Sequence, residues 1–154
     1  ATRNTMLRIG RNLFVHAGLS ARLLERNLEM DTLNARMSEG LYRTSKERRE
    51  DPTLEFLYRS AGPVWYRGMV CTDEKYDPLT PEQTDALLRR YDADRLLIGH
   101  TIFPDISTFH DGRVIAVNVQ NERNRRKNRG RAVLIEGSRI SVVGNRGVKR
   151  VLEE

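Results

Sequence analysis

Leu13-Phe14-Val15-His16-Ala17-Gly18-Leu19-Ser20 is an apolar run that breaks into small residues at a histidine, and Leu96-Leu97-Ile98-Gly99-His100-Thr101 repeats the pattern. A short apolar run of this kind reads as a buried strand, and the small residues beside each histidine let backbone approach closely. Two such strands in one α/β sheet deliver both imidazoles to the same rim, where open α/β sheets build their binding sites. Imidazole is the commonest metal-binding side chain, so His16 and His100 are candidate metal ligands. A lone histidine after a strand is usually a satisfied structural residue, and it is the repeated context that favours a metal. Two ligands do not complete a metal centre, so the sequence holds part of one.

Outward from these runs, residues 6–15 read as one strand with Gly10 near a turn. Ser20 is expected to cap a helix whose apolar positions are Leu23, Leu24, Leu28, Leu33, Met37 and Leu41, broken around Asp31-Thr32 and ended at Gly40. Residues 43–51 are polar and read as a loop. Asp51-Pro52 opens a short helix that Gly62-Pro63 stops. Thr80-Pro81-Glu82-Gln83 is a capping-box start for the next helix, and residues 95–98 form the strand that follows it. Residues 106–109, 114–119, 131–135 and 139–143 read as further strands, with turns at Asp111-Gly112 and Gly137-Ser138. The order strand, helix, strand argues for an α/β fold, and residues 1–154 are read as a single unit.

At 154 residues the chain is long enough for one domain with a real core. It has no apolar stretch near the roughly 18 residues of a membrane span. The single Cys71 excludes an internal disulfide and leans towards a reducing, cytoplasmic compartment. The net charge of +6 favours anionic partners such as phosphate esters or nucleic acid. Much of it lies in Arg123-Asn124-Arg125-Arg126-Lys127-Asn128-Arg129, which has no aromatic for base stacking and reads as a solvated loop. That argues against nucleic acid as the partner. Arg67, between Trp65-Tyr66 and Gly68, is placed to present its planar fork to a phosphate. The competing reading stacks it on Trp65 or pairs it with a carboxylate. His110 precedes a hairpin turn and is expected to be exposed and inert. The sequence contains no phosphate-cradling glycine loop, no dinucleotide fingerprint and no Gly-x-Ser-x-Gly elbow.

These segments also carry a resemblance. Phe14 to Ser20 resembles the Val-His-Gly-Gly-Leu-Ser motif of calcineurin-like metallophosphoesterases, in the phosphoprotein phosphatase branch. Leu97-Ile98-Gly99-His100-Thr101 resembles their later Gly-His-Thr motif, and Gly62-Pro63-Val64-Trp65-Tyr66-Arg67-Gly68 is similar to the Trp-Tyr-Arg segment of bacterial and Shewanella-like phosphatases. The resemblance implies half of a metallophosphoesterase-type β-sandwich flanked by helices. It makes His16 and His100 ligands of the same ion in a centre of two divalent metals (manganese, iron or zinc), and Arg67 the residue that grips the substrate phosphoryl. The implied activity is hydrolysis of phosphomonoesters, on phosphoprotein (Ser/Thr or Tyr) or a small phosphoester, by a hydroxide that two metals activate. The alternatives are hydrolysis of dinucleoside polyphosphates and a basic nucleic-acid-binding or scaffold module. Ala17 departs from the motif. The family's Asp-x-His, its bridging Asp with the Asp-Arg pair, and its Asn-His pair are all missing. The chain is therefore expected to be the carboxyl-terminal half of such a domain, to need the amino-terminal half as partner, and to be nearly inactive alone.

Overall fold

The computed structural model describes residues 3–153. Residues 6–15 form a hairpin rather than one strand. β1 (Met6–Ile9) and β2 (Asn12–Val15) pair antiparallel about a turn in which Gly10 takes φ 58°, a left-handed value that costs glycine little. β3 (Arg95–Ile98), β4 (Ser107–Phe109) and β5 (Val114–Ala116) complete a five-stranded sheet in the order β1-β2-β3-β5-β4. Its three central strands, β2, β3 and β5, are parallel.

The register explains why these strands read as continuous apolar runs. Leu13, Leu96 and Val114 align in one row, and Val15, Ile98 and Ala116 in another, all facing the larger core. Phe14, Leu97 and Ile115, in the row between, face a second and smaller core. Strands buried on both faces lose the polar alternation of a half-exposed sheet.

Five helices lie between β2 and β3: α1 (Arg22–Arg26), α2 (Met30–Gly40), α3 (Ser45–Glu50), α4 (Pro52–Tyr58) and α5 (Pro81–Arg90). Leu23, Leu33, Met37, Phe56, Leu57, Leu87 and Leu88 bring them onto the larger core. The expected break in the first helical stretch comes earlier than Asp31-Thr32, at Asn27, whose φ of 48° ends α1. Ser20 does not cap it; its hydroxyl donates to the carbonyl of Ala61 at 2.9 Å. The loop expected over residues 43–51 contains α3, opened by a Thr44–Glu47 capping box. It has no buried residue, so no hydrophobic period marks it. The Asp51 and Thr80 caps form as anticipated, each side chain accepting from backbone N–H groups of the turn it starts.

Part of the basic run is helical as well. α6 (Asn121–Arg126) carries an exposed Glu122–Arg126 pair at 2.6 Å. β6 (Arg131–Glu136), β7 (Arg139–Gly144) and β8 (Gly147–Glu153) then form an antiparallel sheet. Ile140 and Val142 of β7 seal the smaller core against Leu97 and Ile115. The third of these strands is not legible in the sequence, where Lys149-Arg150 interrupts its apolar pattern.

The chain is thus α/β, and the expectation of half a metallophosphoesterase-type β-sandwich is corrected. The element that organises it is a mixed sheet with a parallel centre, because the long β2–β3 crossover runs through helices that cover one face. Among the described residues, no helix is long and apolar enough to cross a membrane.

Asn34 on α2 ties that helix to the sheet edge. Its Oδ1 accepts from the backbone N–H groups of Thr5 and Met6, and its Nδ2 donates to the Met6 carbonyl, each at 2.9 Å. The side chain thus occupies the outer edge of β1 as a neighbouring strand would. Asn34→Ala strands buried backbone groups, each costing about 1–3 kcal/mol. A loss of about 2–4 kcal/mol is therefore expected from chemical denaturation, with a matching fall in Tm.

Candidate active site

His16 directly follows β2, and His100 follows β3 after Gly99. Because Val15 and Ile98 are register partners, both imidazoles leave the sheet at the same rim. The Gly99 N–H donates to the His16 carbonyl at 2.8 Å, which extends the parallel pairing one step past the strands. The chain then turns sharply, with Thr101 N–H donating to Gly99 O at 2.6 Å and His100 at φ 59°. A left-handed conformation is uncommon outside glycine and is held only where the surroundings over-determine it. Here it brings the His100 ring towards His16. His16 Nε2 and His100 Nδ1 are 3.1 Å apart, with ring centroids at 5.0 Å.

A separation of 3.1 Å is a hydrogen bond when one ring carries the intervening proton. It also suits two ligands of one ion, since nitrogens that far apart subtend about 95° at bonds of about 2.1 Å. Burial, then the Arg67 guanidinium, then the His16 ring hold His100 below the ordinary histidine value. These influences favour its neutral form, the state in which imidazole ligates. Its Nε2 is buried without a hydrogen-bond partner among the described residues. Among those residues no group of three or more His, Cys, Asp or Glu gathers at one point. The imidazole pair fits two positions of a coordination sphere and supplies no more.

Arg67 reaches the same rim by another route. The N–H groups of Ala17 and Gly18 donate to the Pro63 carbonyl at 2.9 and 3.4 Å, pinning the segment that follows α4 against the turn after His16. Tyr66 is buried, and its hydroxyl donates to the Asp77 carbonyl; burial pushes that hydroxyl's pKa up. Gly68 is required by close approach, since a Cβ there would lie 2.5 Å from Asp77 O and 2.2 Å from the Tyr66 hydroxyl. Between these anchors Arg67 is half-buried and donates from Nη1 to Thr101 Oγ1 at 3.0 Å. Among the described residues it is neither stacked on Trp65 nor paired with a carboxylate, so the competing sequence reading does not describe it there.

Three candidate residues therefore meet in one place. Two further ones were not singled out for it. Trp65, considered only as a stacking partner of Arg67, sets its ring edge-on to His100 with centroids 5.6 Å apart. Thr101 links Arg67 to the His100 turn, and its place beside His100 was the available signal. His110, expected to be exposed and inert, is half-buried. Its Nδ1 lies 3.3 Å from Thr84 Oγ1 and its Nε2 3.0 Å from the Met69 carbonyl, so it braces the Arg67 segment from behind.

The fold and site define an α/β protein whose sheet rim carries an imidazole pair beside an arginine suited to an oxyanion. Three solved structures share the fold. One is described as a cold-active protein tyrosine phosphatase, one as a point mutant of such an enzyme, and one as that of a psychrophile, Shewanella sp.. Each is 26% identical over 97% of this chain, with TM-scores of 0.83, 0.83 and 0.84. This chain spans only 42–43% of their length. No protein-family model and no curated protein sequence matches it. The resemblance to calcineurin-like metallophosphoesterases is corrected by these findings, since these three structures are described as protein tyrosine phosphatases. The physical reason is that a strand ending in an imidazole and small residues specifies a local geometry. That geometry is present, and it does not by itself specify a family.

Proposed function

We propose that this chain provides one face of a phosphatase site acting on phosphorylated protein, with phosphotyrosine as the leading substrate. His16 and His100 would hold a divalent metal ion, and Arg67 would hold the phosphoryl group. The observation that carries the reading is the 3.1 Å imidazole pair on the sheet rim, joined to Arg67 through Thr101. The descriptions of the structural neighbours support the substrate class.

When bound, such an ion supplies Lewis-acid stabilisation of phosphoryl oxygens and acidifies water. The other roles belong to the chain itself. The planar fork of Arg67 can engage two phosphoryl oxygens at once, and Thr101 fixes the direction of that fork. Trp65 lies edge-on against His100 and would help hold its ring in place. Only two nitrogen donors come from the described residues, so an ion would be held weakly and turnover by the chain alone should be slight.

Titration of inorganic phosphate into the chain, with manganese and again with a chelator, tests the proposal. Binding is expected with manganese and should collapse on chelation. Phosphate binding indifferent to chelation would remove the metal from the reading, and no binding in either condition would remove the site.

A further inference from the structure

Two open grooves meet at Trp65. One, of about 520 Å³, is lined in part by Arg22, Arg59, Arg67 and Lys75. The other, of about 510 Å³, takes Arg48, Arg49 and Arg59. The carboxylates in the two linings are Asp77 and Glu55, so six cations face two anions. The excess of four compares with a net charge of +6 for the whole chain.

Lys75 is paired with Asp73 at 2.8 Å, just outside the lining, and the arginines are the cations open to a ligand. Arg22 faces Asp77 at 3.9 Å and Arg59 faces Glu55 at 3.2 Å, with both arginine side chains more than half exposed. Exposed pairs of this kind hold each other by little and exchange readily. Arg49 is exposed and makes no ion pair among the described residues. Arg48 is held ready, stacked on Tyr58 at 4.6 Å and donating to the Gly40 carbonyl at 3.0 Å. Trp65, which both grooves share with Tyr58 and Arg59, is 54% exposed.

A phosphoryl group engages Arg67, so the remaining positive charge needs another occupant. It is spread over two grooves that share Arg59 and Trp65, and a carboxylate lies in each, Asp77 in one and Glu55 in the other. A nucleic-acid backbone asks instead for a continuous basic track with successive stacking platforms. We propose that the two grooves receive acidic side chains flanking a phosphorylated residue, so that the site selects acidic phosphopeptides. The inference rests on the phosphatase reading of Arg67 and the imidazole pair.

Trp65 is the only tryptophan in the chain and reports occupancy through its fluorescence. The test titrates the manganese-loaded chain with a phosphotyrosine peptide flanked by glutamates, the same peptide flanked by glutamines, and the unphosphorylated form of each. The acidic phosphopeptide is expected to bind at least about tenfold more tightly than its glutamine counterpart, the sum of a few exposed ion pairs. That ratio should shrink with added salt. In the Arg49→Gln, Arg59→Gln double variant it should fall to within about twofold of unity. Equal binding of the two phosphopeptides, each above its unphosphorylated form, would overturn the flank preference and leave the phosphatase reading standing. No gain from phosphorylation in either pair would overturn both. A single-stranded oligonucleotide that displaces the acidic phosphopeptide at lower concentration would also overturn the assignment.

Discussion

Replacing His100 by alanine is expected to lower the affinity of the chain for a divalent transition metal by more than about a hundredfold. Changes behind a metal ligand already cost 10- to 100-fold, and removal of a donor costs more. His16→Ala should do the same, because neither imidazole has a replacement among the described residues. Both rings lie at the rim rather than in the core, His16 exposed and His100 half-buried. The variants should therefore unfold at nearly the wild-type temperature, which separates a ligand from a structural histidine. His110→Ala is the matching control. That ring contacts Thr84 and the Met69 carbonyl rather than the imidazole pair, so its loss should cost stability with metal affinity held within about twofold. Metal titration and thermal unfolding of the three variants give the comparison. Loss of stability without loss of metal affinity in His16→Ala and His100→Ala would make the pair a structural contact.

Arg67→Ala is expected to weaken phosphate binding by about 10- to 150-fold, the range of a charge-assisted hydrogen bond worth about 1.5–3 kcal/mol. Lysine at the same position should recover only part of the loss, because an ammonium cannot reproduce the planar fork. The fold should be little affected. The side chain donates to a threonine hydroxyl, while the segment is held by Tyr66, Gly68 and Met69. Phosphate titrations of the two variants against wild type read this directly. A lysine variant equal to wild type would mean that Arg67 contributes charge alone.

The parts of the fold that were legible are those in which one residue type carries one physical demand. Leu13 to Val15 and Leu96 to Ile98 read as strands because both faces are buried. From that, the shared rim of His16 and His100 followed. Thr80-Pro81 and Asp51-Pro52 read as helix starts because their side chains bond the turns they open. What was not legible depends on contacts between distant segments. α3 buries nothing, so its only mark is a capping box inside a polar stretch. Ser20 turned from a cap into a partner of Ala61, a choice that local sequence does not encode. The hairpin at Gly10 splits a run that is apolar enough to be one strand. In the site, proximity of Arg67 to the imidazoles depends on Pro63 bonding to Ala17 and Gly18, and the edge contact of Trp65 with His100 depends on the left-handed turn at His100. A family drawn from three short motifs went further than the motifs themselves. They encode where side chains leave a strand, and that much the structure contains.

The most direct test of the site is electron–nuclear double resonance on the chain loaded with manganese. Couplings from two imidazole nitrogens are expected, one of them lost in His16→Ala and the other in His100→Ala. A spectrum without imidazole coupling, or one unchanged in both variants, would contradict the assignment of these two rings to one metal ion.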